Sequence, residues 1–211
     1  MSERRFEWLA DYAFNTYSQF GEDGVLQAIF SLIGAENEWC IECGAADGLF
    51  FSNTRRLIDY GWHAILVEAS RSVFQRLVKN CEGFGERVIC VPAQIDADNR
   101  LETVLQRCGA PVDIDLAVID IDGQDYYVFN SLLRFRPRVV MVEFDRTADE
   151  DFIPLLGGEG QAGSRAIAAL GAGKWYTEVY RSSTNIVFVK QPLDQLLSGT
   201  REEMRQRLAE D

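Results

Sequence analysis

Between residues 37 and 145, short runs in which nearly every position is apolar alternate with longer stretches whose apolar residues recur every three or four positions. The runs are Trp39-Cys40-Ile41-Glu42, Ala64-Ile65-Leu66-Val67-Glu68, Arg87-Val88-Ile89-Cys90-Val91, Leu116-Ala117-Val118-Ile119-Asp120 and Val139-Val140-Met141-Val142-Glu143. The stretches between them, Thr54 to Tyr60, Val73 to Cys81, Leu101 to Arg107 and Tyr126 to Leu133, have helical spacing. A strand that is apolar throughout belongs inside a parallel sheet covered on both faces. Strict alternation of such strands with helices predicts a doubly wound α/β fold.

The flanks follow other rules. Phe6 to Ile33 has helical spacing broken at Ser18-Gln19-Phe20-Gly21-Glu22-Asp23-Gly24, which predicts two N-terminal helices. After the fifth strand comes a loop rich in glycine, Gly157 to Gly163, and then a helix from Ser164 to Leu170. Trp175 to Tyr180 and Asn185 to Val189 read as strands close enough to pair antiparallel, and Leu193 to Asp211 as a charged tail helix. At 211 residues the chain fits one domain: N-terminal helices over 1–36, a βα core over 37–145, and the loop, hairpin and tail over 146–211.

Charge narrows the partners. A formal −12 repels a phosphate backbone or an anionic lipid surface, so the expected partner is a small molecule, neutral or cationic, with no nucleic acid and no membrane. The densest basic stretch, Arg134, Arg136 and Arg138, reads as a solvated loop between helix and strand, with a nucleic-acid or acidic-partner contact as the other reading. No window approaches the roughly 18 apolar residues of a membrane span, and the mixed charges of residues 1–7 lack the apolar core of a signal peptide, so the expected location is cytoplasmic. Five cysteines, an odd number, suit buried reduced thiols; Cys40 and Cys43 spell C-x-x-C, but no second pair or histidine cluster completes a zinc site.

In an open parallel sheet, ligands bind beyond the C-terminal ends of the strands, where strand order reverses. Here those ends are acidic: Glu42, Glu68, Asp120 and Glu143. Glu42 leads into Cys43-Gly44-Ala45-Ala46-Asp47-Gly48, whose small residues let a ligand approach the backbone, although a plain tight turn has the same composition. A dinucleotide loop needs a second glycine where Ala46 stands. Two acids in place of a phosphate seat suit a cofactor with an ammonium group and a sulfonium charge. Glu68 follows Glu42 by 26 residues, near the interval at which an acid reaches a ribose diol. Gln94 and Asp96, after the third strand, offer an amide and a carboxylate to an adenine amino group.

The combined motifs are similar to a known group. Cys43 through Thr54, Gly61-Trp62, Leu66-Val67-Glu68-Ala69, the lead-in Ser18 to Gly24, the acidic Ile119-Asp120-Ile121-Asp122-Gly123-Gln124-Asp125-Tyr126, Val142-Glu143-Phe144 and Asn185 to Val189 occur in the order of the FkbM-type methyltransferases of the class I superfamily. The resemblance covers about residues 17 to 190. It implies a Rossmann-like, mostly parallel seven-stranded sheet with an antiparallel C-terminal hairpin and helices on both faces. It also implies S-adenosylmethionine (SAM) as cofactor, with Glu42, Gly44 and Gly48 around its methionine part, Glu68 on the ribose, and Gln94 or Ile95 beside the adenine. Gln19, Ala45, Asp47, Asn53, Ala69 and Asp120 complete the candidate cofactor set. The chain departs from the pattern at Asp122, where many such sequences have Glu, and at Glu143-Phe144-Asp145, where an ending with Asn is usual.

Methyl transfer requires alignment of donor and acceptor and, for a hydroxyl, removal of a proton. The expected activity is O-methylation of a small hydroxylated acceptor such as a sugar or natural product. Asp120 or Asp122 is the candidate group that orients or deprotonates it, with Glu143 assisting; Asp120 as a helix cap is the plainer reading. Alternatively Asp120, Asp122, Glu143 and Asp145 would hold Mg²⁺. A non-catalytic SAM- or metabolite-binding module of the same fold is the second hypothesis. A nucleotide-linked oxidoreductase is weakened by Ala46. Gly158 and Gly163 are not followed by the Lys-Ser/Thr of a phosphate loop, and the single histidine, His63, lies at the start of a strand, which leaves no support for hydrolase chemistry.

Overall fold

The computed structural model describes residues 5–96 and 100–210. Five parallel strands, β1 (Trp39–Cys43), β2 (His63–Glu68), β3 (Val88–Pro92), β4 (Leu116–Ile119) and β5 (Val139–Glu143), form the sheet with β6 (Tyr176–Arg181) and β7 (Asn185–Lys190). The order is β3-β2-β1-β4-β5-β7-β6, with β7 antiparallel to both neighbours. Strand order reverses between β1 and β4, so a crevice opens above their C-terminal ends.

Each central strand sends alternate residues into separate cores. Cys40, Ala64, Leu66, Leu116, Val118, Val139 and Met141 pack on one face. Ile41, Ile65, Val67, Ala117, Ile119, Val140 and Val142 pack on the other, as strands apolar throughout require. Cys40 and Cys43 lie in opposite cores, so their C-x-x-C spacing cannot bring the thiols together. All five cysteines are free, with Cys90 and Cys108 only half-buried. No helix among the described residues is long and apolar enough to cross a membrane.

The helices are α1 (Glu22–Ile33), α2 (Arg55–Asp59), α3 (Arg71–Cys81), α4 (Leu101–Arg107), α5 (Asp125–Ser131), α6 (Ser164–Gly173) and α7 (Arg201–Glu210). Two helical expectations are corrected. The first N-terminal helix is a short 3₁₀ turn, Glu7–Tyr12, after which the chain leaves helical geometry. The cause is Asp23, whose carboxylate accepts the amides of Thr16, Tyr17 and Ser18 at 2.7, 2.7 and 2.9 Å. Those donors therefore bond to a side chain rather than along a helix. The tail is likewise split into a 3₁₀ turn, Leu193–Leu197, and α7. Between them the Thr200 amide donates to Glu203 at 2.7 Å and the Glu203 amide to the Thr200 hydroxyl at 3.3 Å, a capping box that starts a new helix.

The basic stretch is also corrected at one position. The Arg138 side chain is 11% exposed and pairs at 2.8 Å with the fully buried Asp115. Its guanidinium also donates to the carbonyls of Ile33 and Gly34 at the end of α1, while Asp115 accepts the amides of Glu36, Asn37 and Glu38. Both charges are thereby compensated inside the fold. His63 stacks on Trp39 at 5.0 Å between ring centres, at the sheet end opposite the crevice.

Candidate functional site

A cleft of ≈ 920 Å³ occupies the crevice above β1 and β4. Its lining includes Gln19, Glu42, Gly44, Ala45, Asp47, Glu68 and Ala69, the β3 end with Gln94 and Ile95, and Asp120, Asp122 and Glu143. This volume lies near the top of the roughly 300–1,000 Å³ range of sites for one small ligand, leaving room for a cofactor and part of a second molecule.

Three expected members lie elsewhere. Gly48 does not line the cleft; a Cβ there would stand 2.6 Å from Leu77 of α3, so its glycine serves close packing. Asn53 is buried and borders a separate cavity against α1 and α2. Asp145 accepts the amide and hydroxyl of Thr147 at 2.7 and 2.6 Å, and those bonds hold its carboxyl below the usual range. It stays outside the acid group at the β4 and β5 ends.

The β1 loop is built from carboxylates bound to backbone. Glu42, 3% exposed, accepts the hydroxyls of Ser52 and Thr54 at 2.7 and 2.6 Å and the Asn53 amide at 2.7 Å. Burial raises its carboxyl pKa against those bonds, which lower it. Glu42 thus pins the segment that leads into α2, a role that the strand-end position alone did not reveal. Gly44 has φ +88°, and a Cβ there would stand 1.6 Å from the Asp120 carbonyl oxygen. The glycine is required by the close β1–β4 contact, and it lines the cleft as well. Ala46, at the position of the missing second glycine, adopts φ +46° nonetheless, and its amide donates to Glu68 at 3.1 Å. Glu68 also accepts the Ser70 amide at 2.6 Å. A carboxylate therefore occupies the backbone donor that a pyrophosphate would otherwise use. Glu68 retains free lone pairs for a diol.

At the other end, carboxylate oxygens of Asp120, Asp122 and Glu143 lie within 4.8 Å of one another. Burial, and then the charge and hydrogen bond of Glu143, push the Asp120 carboxyl up to about 9. Glu143 is raised by burial, while its bonds from Asp120 and Gln161 act in the other direction. At neutral pH Asp120 is therefore the member of the pair that holds a proton, hydrogen-bonded to Glu143. Asp122 has φ +54°, a left-handed conformation uncommon for residues other than glycine, and such strain is concentrated at functional sites.

Two residues were missed by the sequence reading. Asp125, fully buried, accepts the amides of Ile121 and Gly123 at 2.8 and 2.9 Å and so shapes the turn that carries Asp122; burial pushes its carboxyl up to about 6. Gln161, from the glycine-rich loop, donates to Glu143 at 2.5 Å and to Asp125 at 3.2 Å. The loop itself is fastened by Gln124, which donates to the carbonyls of Leu155 and Gly158 and accepts the Gly157 amide. Gln124, Gly157, Gly158, Glu159 and Gly160 all border the cleft.

Asp120, Asp122 and Glu143 are a hard oxygen donor set that fits Mg²⁺, whose binding there would displace the shared proton. The cleft likewise fits SAM: an acid on a diol position, backbone amides already occupied by carboxylate, and apolar Ala93 and Ile95 beyond β3 for a flat base.

No family model and no curated protein matches the chain. Solved structures do match it in shape. An O-methyltransferase from Bacillus cereus in complex with SAH aligns over 86% of this chain and 84% of its own, with 19% identity and a TM-score of 0.54. A candidate O-methyltransferase from Klebsiella pneumoniae aligns over 89% of each chain at 14% identity and a TM-score of 0.54. The chain spans only 54% of the length of the mitomycin 7-O-methyltransferase MmcR, at 14% identity and a TM-score of 0.44. At these identities the likeness concerns architecture, and the chain has the Rossmann-like fold, mostly parallel with an antiparallel C-terminal hairpin, of such methyltransferases.

Proposed function

We propose that the chain is a SAM-dependent methyltransferase of the FkbM type that methylates a hydroxyl group of a small acceptor. The observation that carries this reading is the pairing, in one cleft, of an anchored Glu68 at the β2 end with a proton-sharing Asp120–Glu143 pair at the β4 and β5 ends. The structurally similar O-methyltransferase from Bacillus cereus is in complex with SAH on the same architecture, which supports a cofactor of that kind here.

Bound SAM would supply a methyl group on a sulfonium leaving group. Glu68 would accept hydrogen bonds from the ribose hydroxyls, and Gln19, Ala45, Asp47 and Ala69 would line the remaining cofactor half of the cleft. The acceptor hydroxyl would sit against Glu143 and lose its proton to it as the new C–O bond forms and the C–S bond breaks. Asp120, holding its proton, keeps Glu143 in place, and Asp122 orients the acceptor. Where Mg²⁺ is used, the same three carboxylates would hold it and lower the pKa of the attacking hydroxyl.

The reading is tested with methyl-labelled SAM and a panel of neutral and cationic hydroxylated acceptors. Label should appear in an acceptor with the wild type, and Glu143→Gln should reduce the rate about 10²-fold or more while retaining affinity for S-adenosylhomocysteine. Cofactor binding with no transfer to any acceptor favours a metabolite-binding module of the same fold.

A further inference from the structure

Thirteen large apolar side chains are exposed among the described residues, and six of them fall in two short segments, one lining the cleft and the other leading directly into the glycines 157–160 that border it. Phe50 and Phe51, 68% and 45% exposed, line the cleft just after β1, their rings 3.8 Å apart. They are not loose. Asp47 accepts the amides of Leu49 and Phe50 at 3.0 and 2.9 Å on one side, and Glu42 holds Ser52, Asn53 and Thr54 on the other. Phe51 is also kept at φ +61°, a conformation an aromatic residue rarely adopts. The second segment carries Phe152, Ile153, Leu155 and Leu156, with Leu155 82% exposed. It is fixed by the Tyr127 hydroxyl, which donates to the Pro154 carbonyl at 2.9 Å, and by Gln124. Phe152 lies against Gly160, which borders the cleft.

Rigid loops that hold apolar side chains in water gain nothing for the fold, and apolar surface gathered in this way marks a ligand or partner site. The cleft that the first segment lines and the second adjoins is acidic: Asp120, Asp122, Glu143 and Glu159 line it, and Arg76 is the one basic side chain among the described lining residues. An anionic molecule is repelled there.

We propose that the acceptor is an amphipathic small molecule, uncharged or cationic, whose apolar body rests on Phe50–Phe51 and the 152–156 segment while its hydroxyl reaches the Asp120–Glu143 end. This deepens the methyltransferase reading and rests on it. A free sugar or a phosphorylated metabolite does not fit this rim.

The test uses the full chain, with and without S-adenosylhomocysteine, and the neutral fluorophore N-phenyl-1-naphthylamine. Its emission should rise to saturation on wild type. Binding should weaken about 10-fold or more in the Phe50→Ser, Leu155→Ser double variant, two exposed sites whose change leaves folding intact by melting temperature. Trp175→Ser, an exposed apolar residue away from the cleft, should bind it as wild type does. The anionic 1-anilinonaphthalene-8-sulfonate should bind more weakly than the neutral dye. The proposal is overturned by absence of dye binding, by undiminished binding in the double variant, by preference for the sulfonate, or by sedimentation showing that the variant dissociates a dimer. Failure of wild type to bind S-adenosylhomocysteine would instead overturn the methyltransferase reading, since the dye reports on the rim alone.

Discussion

The side-chain amide of Gln161 donates to Glu143 at 2.5 Å and to Asp125 at 3.2 Å, so one residue of the glycine-rich loop joins the acid at the β5 end to the acid that shapes the Asp122 turn. A hydrogen bond to an ionised carboxylate favours that form, so Gln161 opposes the rise that burial imposes on the Glu143 carboxyl.

Gln161→Met retains the length of the side chain and removes both donors. Turnover should fall about 10-fold or more, while S-adenosylhomocysteine affinity stays within a few-fold, because the loss falls on the acceptor side. Stability should drop by about 1.5–3 kcal/mol, the range for hydrogen bonds to charged groups. Labelled-methyl assays, calorimetry and denaturant titration read the three quantities. Equal loss of cofactor affinity and turnover would place Gln161 in the SAM site.

Gly44→Ala should prevent normal folding whether or not a ligand is present, since the new Cβ would meet the Asp120 carbonyl oxygen at 1.6 Å. Gly109→Ala is the control: φ there is +69° and nothing lies within 4 Å of the added carbon, so only the roughly 1–2 kcal/mol of left-handed strain applies. Melting temperatures without ligand compare them. A Gly44→Ala protein as stable as Gly109→Ala would mean that the β1–β4 contact is looser than described.

Four of the parallel strands, β1, β2, β4 and β5, could be read from sequence because both of their faces are largely buried, which makes the runs apolar at nearly every position; β3, at the sheet edge, is only half-buried and was read from its apolar run alone. Side-chain direction was less legible. Asn53 and Asp145 are near the cleft in sequence, yet Glu42 draws the Asn53 backbone inward and Thr147 draws the Asp145 carboxylate aside. The Asp23 carboxylate prevents the first helix from forming, and nothing in the spacing of apolar residues records such a bond. Gln161 was invisible for a related reason: a glycine-rich loop has no period, so which of its residues turns inward depends on packing. Ala46 and Asp122 adopt left-handed geometry without the glycine that usually signals it.

Asp120 also predicts a pH effect. Burial and the neighbouring Glu143 push its carboxyl up to about 9 in the folded protein, against the ordinary 3.9 of an unfolded chain. The unfolded chain therefore releases this proton first as pH rises, and stability contributed below about pH 4 is lost progressively up to about pH 9. Asp120→Asn keeps a donor to Glu143 and removes the titration. Its melting temperature should match wild type near pH 4 and exceed it at pH 8, by about 2–4 °C for each kcal/mol recovered at this chain length. A variant that melts below wild type at pH 8 would show that Asp120 is ionised in the folded state.

Metal dependence separates two forms of the chemistry. With Mg²⁺ held by Asp120, Asp122 and Glu143, EDTA should abolish methyl transfer and added Mg²⁺ restore it, and Asp122→Asn should raise the half-saturating Mg²⁺ concentration. With Glu143 acting directly as base, EDTA should leave the rate unchanged. Asp145→Asn should matter in neither form, since Asp145 bonds to Thr147 outside the acid group.

The central claim, that the cleft over β1 and β4 takes SAM with its ribose on Glu68, is tested most directly by calorimetric titration with S-adenosylhomocysteine. The account predicts one site per chain in the wild type, affinity reduced roughly 10- to 100-fold in Glu68→Ala, as expected for lost hydrogen bonds to a charged group, and a smaller loss in Glu68→Gln. Absence of binding by the folded wild type, or equal affinity in wild type and Glu68→Ala, would contradict it.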